Sequence, residues 1–388
     1  MKLQLKKTFS FLLCFLLISE FCLFIRADGN IQETISRPAL NCKSAVLMEA
    51  STGNILFEQN PQEAFPPASV TKIMTLLLIM EAIEEEKLTY SDMLSASAHA
   101  CSMGGSQIYL EEGEQMSVDD LIKSVVIASA NDAAVVLAEA VCGTEEAFVE
   151  QMNAKAHSLG MKSTHFENTN GLDDTATNHV TSAKDIAIMS RELIQYPKIL
   201  EYSSTWMDSI RGGEFGLTNT NRLIRFYQGA TGLKTGSTSK AGFCISATAE
   251  RNGMSLICVI MGAESRDIRN AAATDLLNWG FSNYTRYESG TGYQSELPVL
   301  GGTVTHCRIS APPFSAIVEK GDTNKISQQI KLPNHLIAPI DQGQKIGSIE
   351  YSIDGVRVGE SDILAEETIP KINFLGVMFH VLKRMSFH

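Results

Sequence analysis

The sequence predicts an α+β protein in which a larger domain is followed by a small all-β domain. Apolar, strand-like runs lie near both ends of the first 285 residues, and helical patterns lie between and after them. From about residue 293, glycine and proline punctuate short runs of β-forming residues. The 388-residue length also favours two folded units over one. We therefore expect an antiparallel sheet with flanking helices over residues 38–285 and a small β-sandwich over residues 293–365.

The individual elements follow from apolar periodicity and from turn residues. Two hairpins with polar turns are predicted, over residues 45–58 and 242–261. Predicted helices cover residues 69–87, 117–142, 145–159, 182–195 and 267–281, and Ser117 is an expected N-cap. Predicted strands of the second domain cover residues 302–305, 326–330, 345–351 and 355–358.

The first 27 residues are predicted to be a secretory signal outside the fold. Three lysines precede an apolar run over residues 9–25, and Arg26-Ala27 follows it. The alternative is an uncleaved membrane anchor. We expect an exported protein that works outside the cytoplasm.

The C-terminal segment, residues 369–388, is predicted to be an amphipathic basic helix. Its apolar residues recur at three- and four-residue steps, whereas most of its lysines and arginines fall elsewhere. We expect this helix to attach the protein peripherally to the outer face of the cytoplasmic membrane. The alternative is a helix that docks on the protein's own surface.

Composition excludes some classes of function. The net charge of −12 argues against nucleic acid as a partner. The six cysteines after residue 27 are scattered, without a Cys-x-x-Cys pair. Neither a metal site nor a dense disulfide framework is therefore expected.

Three short tracts carry the chemistry: Ser69-Val-Thr-Lys72, Ser129-Ala-Asn131 and Lys234-Thr-Gly236. Each alone is weak evidence, because Ser-x-x-Lys recurs at Ser237–Lys240 and each tract has an ordinary structural explanation. Ser69 would suit a helix N-cap, Lys72 a solvated position, and the second tract a polar turn. Together the tracts match a signature known from penicillin-binding proteins and class A β-lactamases, in which the middle tract is Ser-Asp-Asn.

The residue types suit acyl transfer without histidine. Residues three apart on a helix share a face, so Ser69 and Lys72 can meet, and a neutral lysine could take the serine's proton. Burial and the charge of Lys234 would lower the pKa of Lys72. The hydroxyl of Ser129 could relay a proton to the departing amine, and the amide of Asn131 could hold a substrate carbonyl.

The third tract suits substrate binding. The ammonium group of Lys234 and the hydroxyl of Thr235 can bind a carboxylate, and Gly236 lets another backbone approach closely. The backbone N–H groups of Ser69 and Ser237 would form an oxyanion hole.

Residues 67–75, 129–132 and 234–242 resemble the exported serine-type D-alanyl-D-alanine carboxypeptidases, the low-molecular-mass penicillin-binding proteins. Residues 168–172 and 181–185 look like further signatures of that family. The resemblance implies a β-lactamase/DD-peptidase-like catalytic domain, with Ser69 as the acylated nucleophile and Lys72 as its base. It assigns Ser129 and Asn131 to the second motif, and the third motif comprises Lys234, Thr235 and Gly236.

The resemblance further implies trimming of the terminal D-alanine from peptidoglycan stem peptides that end in D-Ala-D-Ala, with β-lactam antibiotics as covalent inhibitors and no metal or other cofactor. Three alternatives stay open at this point. They are a β-lactamase, a D,D-endopeptidase and a catalytically silent wall-binding protein. No glutamate suited to fast deacylation lies within residues 168–174, although Glu167 is near.

One position departs from the family pattern. Some relatives carry an arginine where this chain has Thr220, and that arginine helps to hold the substrate carboxylate. Carboxylate binding is therefore expected to depend on Lys234, Thr235 and Thr238.

Overall fold

The computed structural model describes residues 36–174, 176–374 and 376–378. Its helices are α1 (Lys72–Glu84), α2 (Ala98–Cys101), α3 (Val118–Lys123), α4 (Asn131–Cys142), α5 (Glu145–Ser158), α6 (Ala183–Leu193), α7 (Pro197–Ser203), α8 (Leu223–Phe226) and α9 (Arg266–Asn283). All five predicted helical regions contain helix, and the short helices α2, α7 and α8 are additional.

The strands are β1 (Ser44–Glu49), β2 (Ile55–Gln59), β3 (Met93–Ser95), β4 (Gln115–Ser117), β5 (Met207–Ile210), β6 (Phe215–Thr218), β7 (Ala230–Thr238), β8 (Gly242–Arg251), β9 (Met254–Ala263), β10 (Tyr284–Glu288), β11 (Tyr293–Leu300), β12 (His306–Ala311), β13 (Ser315–Glu319), β14 (Ile326–Lys331), β15 (Leu336–Ile337), β16 (Lys345–Ile353) and β17 (Val356–Ala365). A five-stranded antiparallel sheet has the order β2-β1-β9-β8-β7. The hairpins β1–β2 and β8–β9 confirm both hairpin predictions.

Both faces of this sheet are covered. Val46 and Met48 of β1 pack into a core shared with the helical region, whereas Ala45 and Leu47 pack into a second core on the other face, which includes Leu276 of α9. Successive side chains of a strand point to opposite faces, so a strand buried on both sides is apolar throughout. This arrangement explains why the central strands show no polar alternation.

Polar side chains define where the helices begin. Ser117 accepts a hydrogen bond from the backbone N–H of Asp120 at 3.1 Å, which confirms the predicted N-cap of α3. Ser182 caps α6 in the same way. Such caps satisfy N–H groups that have no partner within the helix.

The first long helix begins later than predicted. An α-helix was expected from Ser69, but Ala68–Thr71 forms a 3₁₀ turn and α1 starts at Lys72. Ala68 has a φ of 49°, outside the helical range, so a regular helix cannot extend further toward the N-terminus. Side chains three residues apart eclipse one another in a 3₁₀ turn, which favours contact between Ser69 and Lys72.

Strands β3 and β4 pair in one two-stranded sheet and β5 and β6 in another, and strands β10 to β17 form the all-β part. A six-stranded sheet has the order β14-β16-β17-β12-β11-β15, and β10 pairs with β13. The strand predicted over residues 302–305 is wrong, because strand β12 begins only at His306. That segment instead forms the turn between β11 and β12. There the Thr303 N–H donates to the Pro370 carbonyl at 3.0 Å, and Gly302 forms an isolated β-bridge with Lys371.

Two predicted segments fall largely or wholly on residues that are not described. The signal segment over residues 1–27 lies outside the described residues, as do residues 375 and 379–388 of the terminal helix. Phe374 and residues 376–378 are helical, but residues 369–373 are not, because Ile369 and Lys371 form β-bridges with Ile340 and Gly302. Within the described residues the helix therefore begins later than predicted. In the described part of the chain, none of the helices combines the length and apolar character needed to cross a membrane.

Candidate active site

Ser69 and Lys72 meet at the junction between the 3₁₀ turn and α1. The Lys72 Nζ atom lies 3.0 Å from Ser69 Oγ, and the lysine side chain is fully buried. Two further acceptors surround the same nitrogen, Asn131 Oδ1 at 2.5 Å and the carbonyl oxygen of Asn170 at 2.8 Å. Three separate segments of the chain therefore converge on one amine.

The hydrogen bonds constrain which atoms can donate. Asn131 Nδ2 donates to the carbonyl of Gly104 at 2.6 Å, so its Oδ1 faces Lys72 and can only accept. The Asn170 carbonyl can also only accept. A neutral amine has two N–H bonds and one lone pair, so with both bonds used the lone pair faces the Ser69 hydroxyl. The arrangement suits proton transfer from serine to lysine.

The electrostatic surroundings favour that neutral form. Burial lowers the pKa of Lys72 well below its ordinary value, the nearby charge of Lys234 lowers it further, and Asp132 opposes the shift. A charged amine loses its hydration when it is buried, and a second cation adds repulsion. The predicted interaction between the two lysines is therefore present in the site.

Lys234 is the second buried lysine. Its Nζ donates to Ser129 Oγ at 2.8 Å and to the Thr235 carbonyl at 3.0 Å, and the residue is 1% exposed. Burial, followed by the charge of Arg269, lowers the pKa of Lys234 to about 7. No carboxylate among the described residues is paired with this ammonium group, which leaves it available to an anionic ligand.

Ser129 reaches Lys234 because its backbone is left-handed. The residue follows the π-helical turn Ser124–Ala128 and has φ 64° and ψ 30°. Non-glycine residues rarely adopt this conformation, and they tend to do so at functional sites. The backbone N–H of Asn131 donates to the Ser106 carbonyl at 2.7 Å, which ties the start of α4 to the loop before β4.

Strand β7 passes very close to the turn that carries Ser69. A Cβ atom added to Gly236 would lie 2.8 Å from both Ser69 N and the Pro67 carbonyl oxygen. Only glycine allows this approach. The cavity beside it is lined by Ser69, Ser129, Thr235, Gly236 and Ser237, so five of the nine predicted site residues share one cavity.

The remaining predicted residues take different positions. Lys72, Asn131 and Lys234 do not line this cavity. Lys72 contacts both Ser69 and Asn131, and Lys234 contacts Ser129. The hydroxyl oxygen of Thr238 accepts a hydrogen bond from the backbone N–H of Ala241 at 3.1 Å. This bond lies within the turn after β7.

Thr220 lies against the third motif. Its hydroxyl is 2.8 Å from that of Thr235, and it also lines the cavity. Thr220, at the position where some relatives carry an arginine, therefore contacts Thr235, which is predicted to bind the substrate carboxylate. Arg222 and Arg269 line the same cavity.

Sequence reasoning gave no role to two residues that build the site. The carboxylate of Asp132 is buried and accepts backbone N–H bonds from Ile108 at 3.1 Å, Leu110 at 3.2 Å and Ala133 at 2.9 Å. It thereby holds the loop whose Gly104 and Ser106 carbonyls orient Asn131. Asn170 contributes a backbone carbonyl to Lys72, and a backbone contact leaves no signal in the side-chain pattern. Asp132 does follow the second motif directly, which was the available clue.

The described residues contain no group of three or more His, Cys, Asp and Glu side chains arranged to hold a metal ion. The chemistry described above uses hydroxyl, amine, amide and backbone groups.

Two protein families match successive parts of the chain. Residues 31–265 match the family described as D-alanyl-D-alanine carboxypeptidase. Residues 281–371 match the family described as penicillin-binding protein 5, C-terminal domain.

Individual relatives cover nearly the whole chain. The D-alanyl-D-alanine carboxypeptidase DacF of Bacillus subtilis is 40% identical over 380 residues, with 96% of each protein covered. The structure of penicillin binding protein 5 from Haemophilus influenzae has a TM-score of 0.75 at 30% identity and covers 87% of this chain and 99% of that one. The ampicillin-bound form of penicillin-binding protein D2 from Listeria monocytogenes has a TM-score of 0.58 at 32% identity over 63% of this chain and 99% of that one.

These findings confirm the predicted fold class, a sheet-and-helix catalytic domain followed by an all-β domain. The chain belongs to the D-alanyl-D-alanine carboxypeptidase family.

Proposed function

We propose that this chain is a serine D,D-carboxypeptidase that removes the terminal D-alanine from peptidoglycan stem pentapeptides through an ester on Ser69. One observation carries the assignment of the nucleophile. The buried amine of Lys72 has two acceptor-only partners and one remaining contact, the Ser69 hydroxyl at 3.0 Å.

The reaction is two successive acyl transfers. Ser69 Oγ attacks the carbonyl carbon of the penultimate D-alanine while Lys72 takes the hydroxyl proton. The resulting oxyanion lies between the backbone N–H groups of Ser69 and Ser237. The C–N bond then breaks, and a proton delivered through Ser129 reaches the departing amine. A water molecule hydrolyses the ester and regenerates Ser69.

Binding of the terminal carboxylate is assigned to the far side of the cleft. The ammonium group of Lys234, beside Ser129 and Thr235, is a buried cation without a carboxylate partner in the described residues. The Thr235 hydroxyl completes the site, and Thr238 is assigned to its rim. Gly236 and Ser237 present the edge of β7 to the peptide backbone.

Asn131 has a second assignment besides the substrate carbonyl expected from sequence. Both ends of its amide are engaged, with Lys72 and with the Gly104 carbonyl. We therefore propose that it also holds Lys72 in position for the transfer.

β-Lactam antibiotics are proposed to acylate Ser69 in the same way, because they present a strained amide and a carboxylate to the same groups. The position of Glu167 favours slow release over β-lactamase activity. Its carboxylate accepts the backbone N–H groups of Thr177 at 2.7 Å and Asn178 at 3.1 Å. It lines a different cavity from Ser69, so it is not arranged to activate water at the ester.

We further propose that the protein is exported by its first 27 residues and held at the outer face of the cytoplasmic membrane by residues 369–388. The sequence pattern supports both assignments. We also propose that the catalytic domain spans residues 38–285 and the all-β domain residues 293–365.

Penicillin adducts and peptide products test the function directly. The full chain and Ser69→Ala are incubated with penicillin and, separately, with a peptide ending in D-Ala-D-Ala. Intact mass and D-alanine release are measured. Wild type should gain one penicillin and release D-alanine, and Ser69→Ala should do neither. Absence of both signals in wild type would favour a silent wall-binding protein, whereas rapid loss of the penicillin adduct would favour a β-lactamase.

A further inference from the structure

The cavity beside Ser69 extends well beyond the serine. Its volume is about 600 Å³, within the range of roughly 300–1,000 Å³ that small-ligand sites occupy. From Thr235 and Thr220 it continues to a group of residues here called the outer pocket, which comprises Trp206, Thr218, Arg222, Arg225 and Phe226.

The outer pocket lies on the leaving-group side of the cleft. Lys72 and the Asn170 carbonyl stand on one side of Ser69. The cavity is lined by Ser129 and Thr235, the groups assigned to the departing amine and its carboxylate, and not by Lys72 or Asn170. Space past that carboxylate is not needed by a departing D-alanine, so a larger leaving group would enter it.

The charged residues that line the cavity are all basic. Four arginines line it, namely Arg222, Arg225, Arg266 and Arg269, and no acidic residue does. Among the described residues none of these four guanidinium groups is within ion-pair distance of a carboxylate. Elsewhere in the described chain Arg211, Arg286, Arg308 and Arg357 each reach one, whereas Arg191 and Arg251 donate to backbone carbonyls instead. In a protein with a net charge of −12, unpaired guanidinium groups gathered at one cavity indicate an anionic ligand.

Arg225 is held by aromatic rings. Its guanidinium carbon lies 5.6 Å from the centre of the Trp206 ring and 5.5 Å from that of Phe226. Stacking fixes the group at the mouth of the cavity through its faces. Its N–H donors lie in the plane of the group and have no hydrogen-bond partner among the described residues. They are therefore free to bind an anion.

We propose that the outer pocket binds a second carboxylate on the leaving group. The enzyme would then cleave D-alanyl bonds to an amine-bearing residue larger than D-alanine that carries a distal carboxylate, as when the amine belongs to a second peptide. This inference rests on the proposed function. The same C–N bond breaks, the acyl group passes to Ser69 Oγ, and the proton goes to the larger departing amine.

Matched substrates separate charge from size. Three acyl peptides share an acyl-side D-alanine and end in D-alanine, D-2-aminoadipate or the side-chain amide of D-2-aminoadipate. Wild type should show a kcat/KM about tenfold higher for the acid than for the amide, as expected for one charge-assisted contact in a partly exposed site. Arg225→Gln should bring that ratio close to one and change the kcat/KM for the D-alanine peptide less than about twofold.

Arg251→Gln is the control for an arginine between two rings. The Arg251 guanidinium lies 4.4 Å from the Tyr227 ring and 4.8 Å from the Phe281 ring, but it does not line the cavity. The ratio of acid to amide should stay at its wild-type value in this variant.

Two results would overturn the inference. One is equal kcat/KM for acid and amide in wild type, and the other is an acid preference that survives Arg225→Gln. Release of D-alanine without any acid preference would remove only this inference. If no peptide is cleaved and Ser69 takes up no penicillin, the proposed function fails and this inference fails with it.

Discussion

Two segments of the chain carry the pattern Ser-x-x-Lys, and only one of them brings its serine and lysine together. Lys72 is fully buried and its Nζ lies 3.0 Å from Ser69 Oγ. Lys240 is exposed, and its Nζ donates to the Asp173 carbonyl at 2.8 Å, away from Ser237.

Local structure explains the difference. Residues three apart share a face in a helical turn, whereas β7 ends at Thr238 and a turn follows it, so Ser237 and Lys240 do not share a helical face. Ser69 lies in the 3₁₀ turn before α1, whereas Ser237 lies near the end of β7. The same four-residue pattern is thus a buried pair in contact in one setting and an edge-strand serine with a surface lysine in the other. Burial adds the second requirement, a lysine that is neutral.

Exchanging each lysine for methionine tests this comparison with the largest expected effect. Lys72→Met should slow acylation by penicillin about 10³-fold or more, because the serine loses its general base. Lys240→Met should change the rate less than about twofold. Both rates are measured as second-order rate constants with a fluorescent penicillin. Similar rates in the two variants would contradict the assignment of Lys72.

A methyl group on Gly236 tests how closely β7 must approach the reactive turn. The added Cβ would sit 2.8 Å from Ser69 N, so Gly236→Ala should displace an oxyanion-hole donor. We expect acylation to slow about 10²-fold, which is the usual cost of losing one such donor. Gly321→Ala is the control, because a Cβ there meets nothing within 4 Å. Acylation at the wild-type rate in Gly236→Ala would show that the strand can shift without cost.

The pH dependence of acylation tests the two buried lysines, with an effect of about tenfold per pH unit on each limb. Lys72 works as the neutral amine, so the rate should rise with pH through its lowered pKa. Lys234 binds a carboxylate as the cation, so the rate should fall as pH rises through its pKa of about 7. The profile of the second-order rate constant should therefore be bell-shaped.

Lys234→Arg identifies the group responsible for the descending limb. Arginine stays charged across this range, so the fall in rate should move to higher pH. A descending limb at the wild-type position would assign it to another group.

Much of the fold could be predicted from the sequence. The hairpins β1–β2 and β8–β9 are marked by apolar runs around polar turns, and Ser117 marks the start of α3. The prediction of a strand over residues 302–305 was wrong, because a β-rich composition cannot show that the segment forms a turn. The contacts of this turn with Pro370 and Lys371 arise only in the folded chain.

Some groups of the candidate site could be predicted from the sequence, and others could not. The side chains of Ser69 and Lys72 are in contact, as are those of Ser129 and Lys234, and the charge of Lys234 lowers the pKa of Lys72. The carbonyl of Asn170 could not be foreseen, because any residue could supply it. The outer pocket was also missed, because Trp206 and Arg225 belong to no motif and meet only where the turn before β5 packs near α8.

The sequence by itself determined the order of the helices and strands and which reactive side chains are present, because propensity, turn residues and residue chemistry are local properties. Tertiary structure decided which lysine is buried beside a serine, as the proposed base must be. A lysine is neutral near physiological pH only when its water is removed and acceptors from distant segments replace it, here Asn131 and Asn170 around Lys72. No short pattern contains that information, because the segments lie 59 and 98 residues away along the chain and meet only in the folded protein.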